Sequence, residues 1–314
     1  MNLLIQLESR INRLISRHEK GAVRAMRGAC TLASLLVING YFGYLPFFRS
    51  PLMIVGLTIF CAMIPLSASS LVIMGILLLE LFALSTQVAL VGLGLFLVAF
   101  FVTNFYGAKH LHNIVFLPLA YPLQIPYALP MISALTGGVQ EVAGIICGGI
   151  LSYYFLLVRR NSALLMEGGK AASLPGLLMS NMFSNNLFYF YMVALMLMFM
   201  VTYTVRERAV HQSWRLAAGS GIVTEFLVMM VGYLLTGNRG RILSLFIVNV
   251  ILFALGVILS FFIKNLDYSR VENVSFEDDE YYYYVTAVPK IRLTEEEKHI
   301  KRITKEADRG EAEQ

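Results

Sequence analysis

The chain has 314 residues, of which 57% are hydrophobic and only 14% are charged, and its mean hydropathy is +0.68. Soluble globular domains carry about 25% charged residues, and a chain this apolar lacks the polar side chains that cover a water-exposed surface. The composition therefore excludes an ordinary soluble protein. It predicts an all-α integral membrane protein, a polytopic helical bundle of about eight to ten membrane segments.

Charge is divided unevenly along the chain. Residues 1–263 hold sixteen basic and seven acidic side chains, whereas residues 264–314 hold nine basic and thirteen acidic ones. We therefore divide the chain into a basic N-terminal segment (1–27), a transmembrane domain (28–264) and a charged cytoplasmic tail (265–314). The basic excess lies at membrane borders, so we expect both ends in the cytoplasm and no binding of nucleic acid.

The N-terminal segment repeats apolar residues at helical spacing within residues 3–18, and basic residues flank them. This pattern predicts an amphipathic helix that lies on the cytoplasmic surface of the membrane. The alternative is a helix that packs on the protein's own tail.

Nine apolar segments follow the N-terminal segment. They cover approximately residues 29–48, 51–67, 70–86, 88–105, 114–135, 138–158, 187–205, 216–236 and 242–263. Two cytoplasmic ends require an even number of crossings. Either one segment does not cross the bilayer, or a further crossing is hidden elsewhere.

The segment 114–135 carries a proline at every fourth position. The four are Pro118, Pro122, Pro126 and Pro130. Each removes a backbone donor and clashes with the preceding helical turn, and non-helical backbone survives at membrane depth only where protein or a watery cavity shields it. We therefore favour a re-entrant segment and eight crossings. The alternative makes residues 172–186 a short extra crossing, which gives ten.

Three acidic residues lie within apolar segments: Glu80, Glu141 and Glu225. An ionisable side chain at the bilayer centre costs about 2.5–3.5 kcal/mol or more, so each is a candidate for transport or gating. The alternative for Glu80 is a neutral or paired carboxyl group. The alternative for Glu141 is a favourable position at the start of a helix, where the helix dipole attracts a carboxylate.

The proline-rich segment leads into a glycine-rich one. Gly144 and Gly148 form a GxxxG pair, which typically serves helix packing. Broken helices beside such segments also build the central sites of many transporters. The four prolines together with Gln124, Gln140 and Glu141 are therefore our candidate functional centre.

The tail shows soluble character. Residues 271–276 and 281–288 are rich in β-forming residues around a polar connection, which predicts a β-hairpin. Thr294 and Glu297 form a capping-box pattern that predicts a helix over 295–308.

An aromatic run, Tyr281, Tyr282, Tyr283 and Tyr284, follows the acidic connection of this hairpin. It suits tyrosine phosphorylation or, as we favour, a strand whose rings pack together. We expect the tail to recognise a cytosolic or envelope protein partner. The lipid bilayer is the other expected partner, and a homo-oligomer is left open.

Residues that carry chemistry are scarce. Cys30, Cys61 and Cys147 lie in apolar stretches without metal-ligand spacing, and no nucleophile, metalloprotease or nucleotide-binding motif occurs. We therefore expect no catalytic residue, no metal, no cofactor and no enzymatic activity. Five asparagines near or in apolar segments suit interhelical hydrogen bonds: Asn104, Asn181, Asn185, Asn186 and Asn249.

The chain resembles a family of uncharacterised multi-pass membrane proteins of Gram-positive anaerobic bacteria in three blocks. These are RLISRHEKGAVRAMRGACTL, then IPYALP with the glycines that follow it, and NLDYSR…FEDDEYYYYVTAVPKI. The resemblance covers nearly the whole chain, and the tail block is its most specific part. It implies a location in the bacterial cytoplasmic membrane (the cell membrane), and it assigns no activity and no catalytic residue.

Two functions suit this sequence. The first is a membrane scaffold or assembly factor that recruits partners through its two polar ends. The alternative is a transporter or permease-like subunit with the proline-broken segment and the intramembrane carboxylates at its centre. An enzyme that acts on lipid-linked substrates is a third, weaker hypothesis, because no acid–base pair supports it.

Overall fold

A computed structural model describes residues 19–106, 111–166, 174–208, 213–263, 272–277 and 282–287. The surface helix expected within residues 3–18 and the tail helix expected over 295–308 lie outside these residues and stay predictions. The chain falls into two units, one comprising residues 11–263 and the other joining residues 1–10 with 264–314.

Helices make up the described part of the first unit. The long ones are α1 (Glu19–Tyr41), α4 (Leu66–Leu84), α5 (Thr86–Phe105), α8 (Glu141–Arg160), α11 (Asn186–Glu207), α12 (Ser213–Leu235) and α13 (Ile242–Ile263). The short ones are α2 (Pro46–Arg49), α3 (Pro51–Met63), α6 (His112–Ala120), α7 (Ala128–Thr136), α9 (Ser162–Met166), α10 (Leu174–Phe183) and a 3₁₀ turn (Arg239–Arg241).

Seven of the described helices are long and apolar enough to cross a membrane. Their outer faces carry large apolar side chains, such as Phe105, Leu235 and Leu243, which are 85%, 73% and 70% exposed. Such a surface is unfavourable in water and suits contact with lipid. The protein is therefore a multi-pass helical membrane protein, as the composition predicts.

Neighbouring helices run antiparallel, as contacts at both of their ends show. At one end of the α1/α3 pair the Arg27 guanidinium donates to the Ile64 carbonyl (3.1 Å), and at the other end the Asn39 amide donates to the Phe48 carbonyl (2.9 Å). In the same way, the start of α5 meets the end of α8 where the Tyr154 hydroxyl donates to the Val88 carbonyl (2.6 Å).

The same arrangement continues through α8, α11, α12 and α13. The contacting pairs are Gly149–Leu195, Gly221–Thr202, Gly232–Phe190 and Gly219–Phe253, with the ring pairs Tyr153–Phe188 and Phe226–Phe246. Of the spans, α8 is the central one, since 72% of its span residues are buried against 22% in α1 and in α13.

Helices α6 and α7 form a hairpin, which we name the proline hairpin (112–136). Its prolines stand four apart, so Pro122, Pro126 and Pro130 each fail to donate to the carbonyl of the preceding proline. The helix therefore breaks between Ala120 and Ala128. Gln124 turns the chain there with a φ of 60°, the one positive φ outside glycine in the described residues.

The two outer ends of the proline hairpin meet. Asn113, near the start of α6, accepts a hydrogen bond from the Ser133 hydroxyl of α7 (2.9 Å). The same Asn113 lies against Gly144 and Gly148 of α8, and Leu117 lies against Gly148, so α6 runs parallel to α8. The hairpin thus enters and leaves the bundle on one side, which is the re-entrant arrangement that we favoured for residues 114–135.

The directions of the helices define two sides of the bundle. The entry side is where the proline hairpin enters, and it holds Glu141 and the end of α11. The pocket side is opposite and holds Arg160 and Arg241. Eight helices, α1, α3, α4, α5, α8, α11, α12 and α13, alternate between the two sides, so α1 begins and α13 ends on the entry side. The number of crossings in a bilayer stays a prediction, since α3 is only 13 residues long.

The alternative extra crossing at 172–186 corresponds to α10, Leu174–Phe183, which has ten residues. An α-helix of this length spans about 15 Å, half the thickness of the hydrocarbon core. Helix α10 packs on α8 and α5 and is too short to cross.

In the second unit, strands β1 (Glu272–Glu277) and β2 (Tyr282–Ala287) pair antiparallel, with Glu272 opposite Ala287 and Glu277 opposite Tyr282. The connection between them and the helix expected after them lie outside the described residues. The tail as a hairpin-plus-helix unit therefore stays a prediction.

Candidate functional site

A cavity of about 350 Å³ lies between the tip of the proline hairpin and the pocket side. Its volume is within the range of small-ligand pockets. We name it the tyrosine pocket, because six tyrosines line it: Tyr41, Tyr121, Tyr127, Tyr153, Tyr191 and Tyr233. Pro122 and Pro126 of the hairpin tip also line it, which makes the broken part of the proline hairpin one of its walls.

Tyr191 of α11 organises the ring packing in the tyrosine pocket. Its ring centroid lies 5.4 Å from that of Tyr121 and 6.0 Å from that of Tyr127, both on the hairpin tip. Edge-to-face pairs of this kind stabilise by about 0.5–1.5 kcal/mol each. The Tyr153 hydroxyl is fully buried and has no hydrogen-bond partner among the described residues, which leaves a polar group unsatisfied beside the cavity.

Two arginines stand at the mouth of the tyrosine pocket. Arg160 ends α8 and Arg241 precedes α13, and both guanidinium groups act electrostatically on the Tyr121 and Tyr153 hydroxyls. Arg241 also interacts with the Tyr233 hydroxyl. No acidic residue among those described lines the cavity. The mouth is therefore electropositive and rich in hydrogen-bond donors.

Gln124 connects the hairpin tip to α13. The side-chain amide oxygen of Gln124 accepts a hydrogen bond from the Ser244 hydroxyl (3.2 Å), and both residues line the tyrosine pocket. A residue other than glycine with a positive φ stores strain of about 1–3 kcal/mol, and such strain clusters at functional sites. The structure thus brings Gln124, Pro122 and Pro126 together at one site, whereas Gln140 and Glu141 of the predicted centre do not line it. The functional role of these residues stays a prediction.

Glu225 lies deeper than the pocket, one helical turn from Met229, which lines its wall. It is fully buried, and neither carboxyl oxygen has a hydrogen-bond partner among the described residues. Asn249 of α13 faces it and interacts with its carboxyl group, although the separation is longer than a standard hydrogen bond and leaves the amide atoms without a partner at that distance among the described residues. A buried polar group without a standard hydrogen bond is costly.

Glu141 belongs to a different cluster, on the entry side, which we name the seal. Its carboxylate accepts from the Asn113 amide (2.9 Å), and Asn113 in turn accepts from Ser133. Arg206 of α11 donates to the carbonyls of Ala134 (2.8 Å) and Gly137 (3.0 Å) at the end of α7. These bonds hold both ends of the proline hairpin to the bundle.

Glu80 lies in neither cluster. It is fully buried, and its carboxylate accepts from the backbone N–H groups of Tyr44 (2.5 Å) and Leu45 (3.0 Å) in the turn after α1. Arg49 also stabilises this turn by donating to the Gly43 carbonyl. Glu80 therefore holds the turn that follows the pocket residue Tyr41, but Glu80 itself does not line the tyrosine pocket.

The remaining predicted residues are placed as follows. Pro118 is buried inside α6, and Pro130 lies in the first turn of α7, where no backbone donor is needed. Gln140 precedes α8 and is exposed on the entry side, away from the tyrosine pocket. Tyr282, Tyr283 and Tyr284 lie in β2, whereas Tyr281 lies outside the described residues.

Sequence reasoning missed the seal and most of the pocket. Asn113 and Ser133 are 20 residues apart, and neither stands out in an apolar segment. The pocket tyrosines come from four helices and the hairpin tip, and tyrosines near helix ends typically mark the membrane interface. The sequence contains one usable indication, namely that Tyr121 and Tyr127 flank the break between the prolines.

Among the described residues, no group of three His, Cys, Asp or Glu side chains could hold a metal ion. Comparison with protein-family models, with curated proteins and with solved structures finds no match to this chain. The resemblance to the bacterial membrane family therefore stays an expectation. The architecture shows a multi-pass helical membrane protein whose proline hairpin enters and leaves the bundle on one side.

Proposed function

We propose that this protein is a carrier that takes a ligand into the tyrosine pocket and moves it across the membrane. The observation that carries the proposal is the proline hairpin, which forms the wall of a pocket open on one side while its ends close the other side. Pockets at broken helices near the membrane midplane are how many transporters bind their substrates.

The closed state of the entry side supports a gate. Asn113 hydrogen-bonds both Glu141 and Ser133, and Arg206 holds the end of α7. These polar bonds can break and re-form at a cost of a few kcal/mol. They lie beside buried apolar side chains of the hairpin, such as Ile114 and Leu135, so opening of the gate must keep or replace this apolar packing.

The hairpin is also built to slide on α8. Gly144 and Gly148 present no side chain to α6, and a Cβ at Gly148 would lie 2.6 Å from the Asn113 carbonyl oxygen. Small residues at such an interface let two helices approach closely. We infer that α6 and α7 move together along this smooth face.

The distribution of basic residues supports an orientation. Chain segments attached to entry-side helix ends (1–27, 106–111 and 206–215) hold ten Lys and Arg residues, whereas those attached to pocket-side ends (41–51, 159–186 and 236–241) hold six. Basic loops remain in the cytoplasm. In this orientation both ends of the chain are cytoplasmic and the tyrosine pocket opens to the outside.

Glu225 is our candidate for the residue that couples the movement to an ion or a proton. It lies beneath the pocket without a hydrogen-bond partner among the described residues, and intramembrane carboxylates in such positions serve proton relays and ion pathways. Glu80 has no such assignment, because its carboxylate holds the turn at Tyr44 and Leu45.

Cysteine accessibility tests the carrier proposal. In a background with Cys30, Cys61 and Cys147 replaced by Ala, we introduce Met229→Cys on the pocket wall. Vesicles of either orientation are treated with a small, membrane-impermeant sulfonate thiol reagent. We expect labelling from the pocket side, and labelling from the entry side once Asn113→Ala opens the seal.

The matched control is Leu227→Cys, which lies on the same helix with a side chain 51% exposed on the outer face. This position faces lipid, so it should stay unlabelled from both sides. The carrier proposal is wrong if Met229→Cys is never labelled from the entry side, with or without Asn113→Ala.

The scaffold function stays a second hypothesis, motivated by the polar ends of the chain. Most of residues 1–27 and 265–314 lies outside the described part of the structure. Deletion of residues 271–314 should then abolish recovery of a partner protein or the function itself. A deletion strain that behaves like the wild type would reject the scaffold hypothesis and leave the carrier proposal untouched.

A further inference from the structure

We propose that the tyrosine pocket binds a phosphate-type oxyanion that carries an apolar group, with the oxyanion at the mouth between Arg160 and Arg241. The inference deepens the carrier proposal and rests on it, because it takes the molecule bound in the pocket to be the substrate of the carrier. It stands on the position of the two arginines, on the hydroxyl groups around them and on the apolar inner wall.

The mouth offers more donors than a carboxylate can accept. Each guanidinium group presents a planar fork of N–H donors that matches the oxygens of a phosphate group. Both arginines act electrostatically on the Tyr121 hydroxyl, and Arg241 interacts with the Tyr233 hydroxyl. The two guanidinium groups and these hydroxyls together offer donors for the three terminal oxygens of a phosphate.

The charge around the mouth is uncompensated within the described residues. The lining contains no acidic side chain among the described residues. Glu80 holds the turn after α1, and Glu141 lies in the seal on the opposite side. Glu225 acts electrostatically on Tyr127 and Tyr233, but it lies beneath the cavity, at the end away from the arginines. Two cations without an acidic partner beside a cavity attract an anion.

The inner wall is apolar. Met229, Leu245 and Val248 line it. These three residues lie one to two helical turns deeper in the bundle than the end of the cavity where the arginines stand. A ligand that fills the cavity therefore presents its oxyanion to the mouth and an apolar group to the interior. A phospholipid headgroup with part of its chains and a free phosphate share the oxyanion, but only the lipid supplies the apolar group.

The test is binding to the full-length protein in maltoside detergent. The three probes are dihexanoyl phosphatidate, inorganic phosphate and dihexanoyl phosphatidylcholine, and titration calorimetry measures the affinity. We expect phosphatidate to bind more tightly than phosphatidylcholine. Phosphate that binds as well as phosphatidate would identify a free anion as the source, and phosphate that binds weakly would identify a lipid headgroup.

The variants are Arg160→Gln and Arg241→Gln, and the matched control is Arg239→Gln. The control residue lies beside the mouth but does not line the pocket. Each mouth variant should weaken phosphatidate binding about tenfold, the effect of losing one charged hydrogen-bonding group, whereas the control should leave it unchanged.

Two results would overturn the inference. One is the absence of binding by both phosphatidate and phosphate. The other is an equal loss in mouth and control variants, which would reveal general attraction to a basic surface. Either result leaves the accessibility of Met229→Cys unaffected, so failure of the oxyanion inference is distinguishable from failure of the carrier proposal.

Discussion

The seal makes a quantitative prediction for Asn113. This side chain is fully buried and makes two hydrogen bonds, one to the Glu141 carboxylate and one from the Ser133 hydroxyl. Asn113→Ala removes both and leaves the carboxylate short of a donor. A bond to a charged group contributes about 1.5–3 kcal/mol and a neutral one about 0.5–1.5 kcal/mol, so the substitution should destabilise the bundle by about 2–4 kcal/mol.

The assay is thermal unfolding of the purified protein in detergent. For a bundle of this size, 1 kcal/mol corresponds to a change in Tm of about 2–4 °C. Asn113→Ala should therefore lower Tm by roughly 4–16 °C. The matched control is Asn104→Ala, which removes an exposed side chain whose amide donates only to the Phe100 carbonyl of its own helix; its Tm should change by about 2 °C or less.

Equal shifts for the two alanine variants would refute the reasoning, because the buried network would then contribute no more than a surface asparagine. A shift in Asn113→Ala without entry-side labelling of Met229→Cys would have a different meaning. It would keep the network as a stabilising element and remove its role as a gate.

Two further predictions concern packing and turns. Gly148→Ala places a Cβ 2.6 Å from the Asn113 backbone oxygen and should lower the stability by about 1–3 kcal/mol. The control Gly94→Ala, whose Cβ would have nothing within 4 Å, should be neutral or stabilising. Equal Tm values for the two variants would exclude close helix packing at Gly148. Glu80→Leu leaves two backbone N–H groups without an acceptor and should lower stability by about 1–3 kcal/mol or more, while leaving the labelling of Met229→Cys unchanged. Altered labelling would instead give Glu80 a part in transport.

The membrane bundle and the break in 114–135 could be predicted because each has a local cause. Apolar length determines which segments can span a bilayer, and each proline acts on the turn that precedes it. Two cytoplasmic ends require an even number of crossings, so one of the nine apolar segments is expected not to cross. The prolines identify 114–135 as that segment. The segment 51–67 was less predictable, because its helix stops at Met63 and the chain turns before Leu66.

The candidate site could be predicted only in part. Gln124, Pro122 and Pro126 were found because the break in the helix is local to them. Arg160 and Arg241 are 81 positions apart in sequence. Only the tertiary packing of α8 and α13 against shared neighbouring helices brings the two arginines to one mouth. The sequence does not reveal the hydrogen-bond partners of a carboxylate in an apolar segment. It therefore could not distinguish Glu80, which holds a turn, from Glu225, which has no hydrogen-bond partner among the described residues.

The proline hairpin carries the pocket wall at its tip and half of the seal at its base. Tyr121 and Asn113 are eight positions apart, a distance of about 12 Å along α6, and they belong to one short rigid helix. Under the carrier proposal, a displacement that releases Asn113 from Glu141 therefore also moves Tyr121 relative to Tyr191, so opening of the entry side rearranges the wall of the tyrosine pocket.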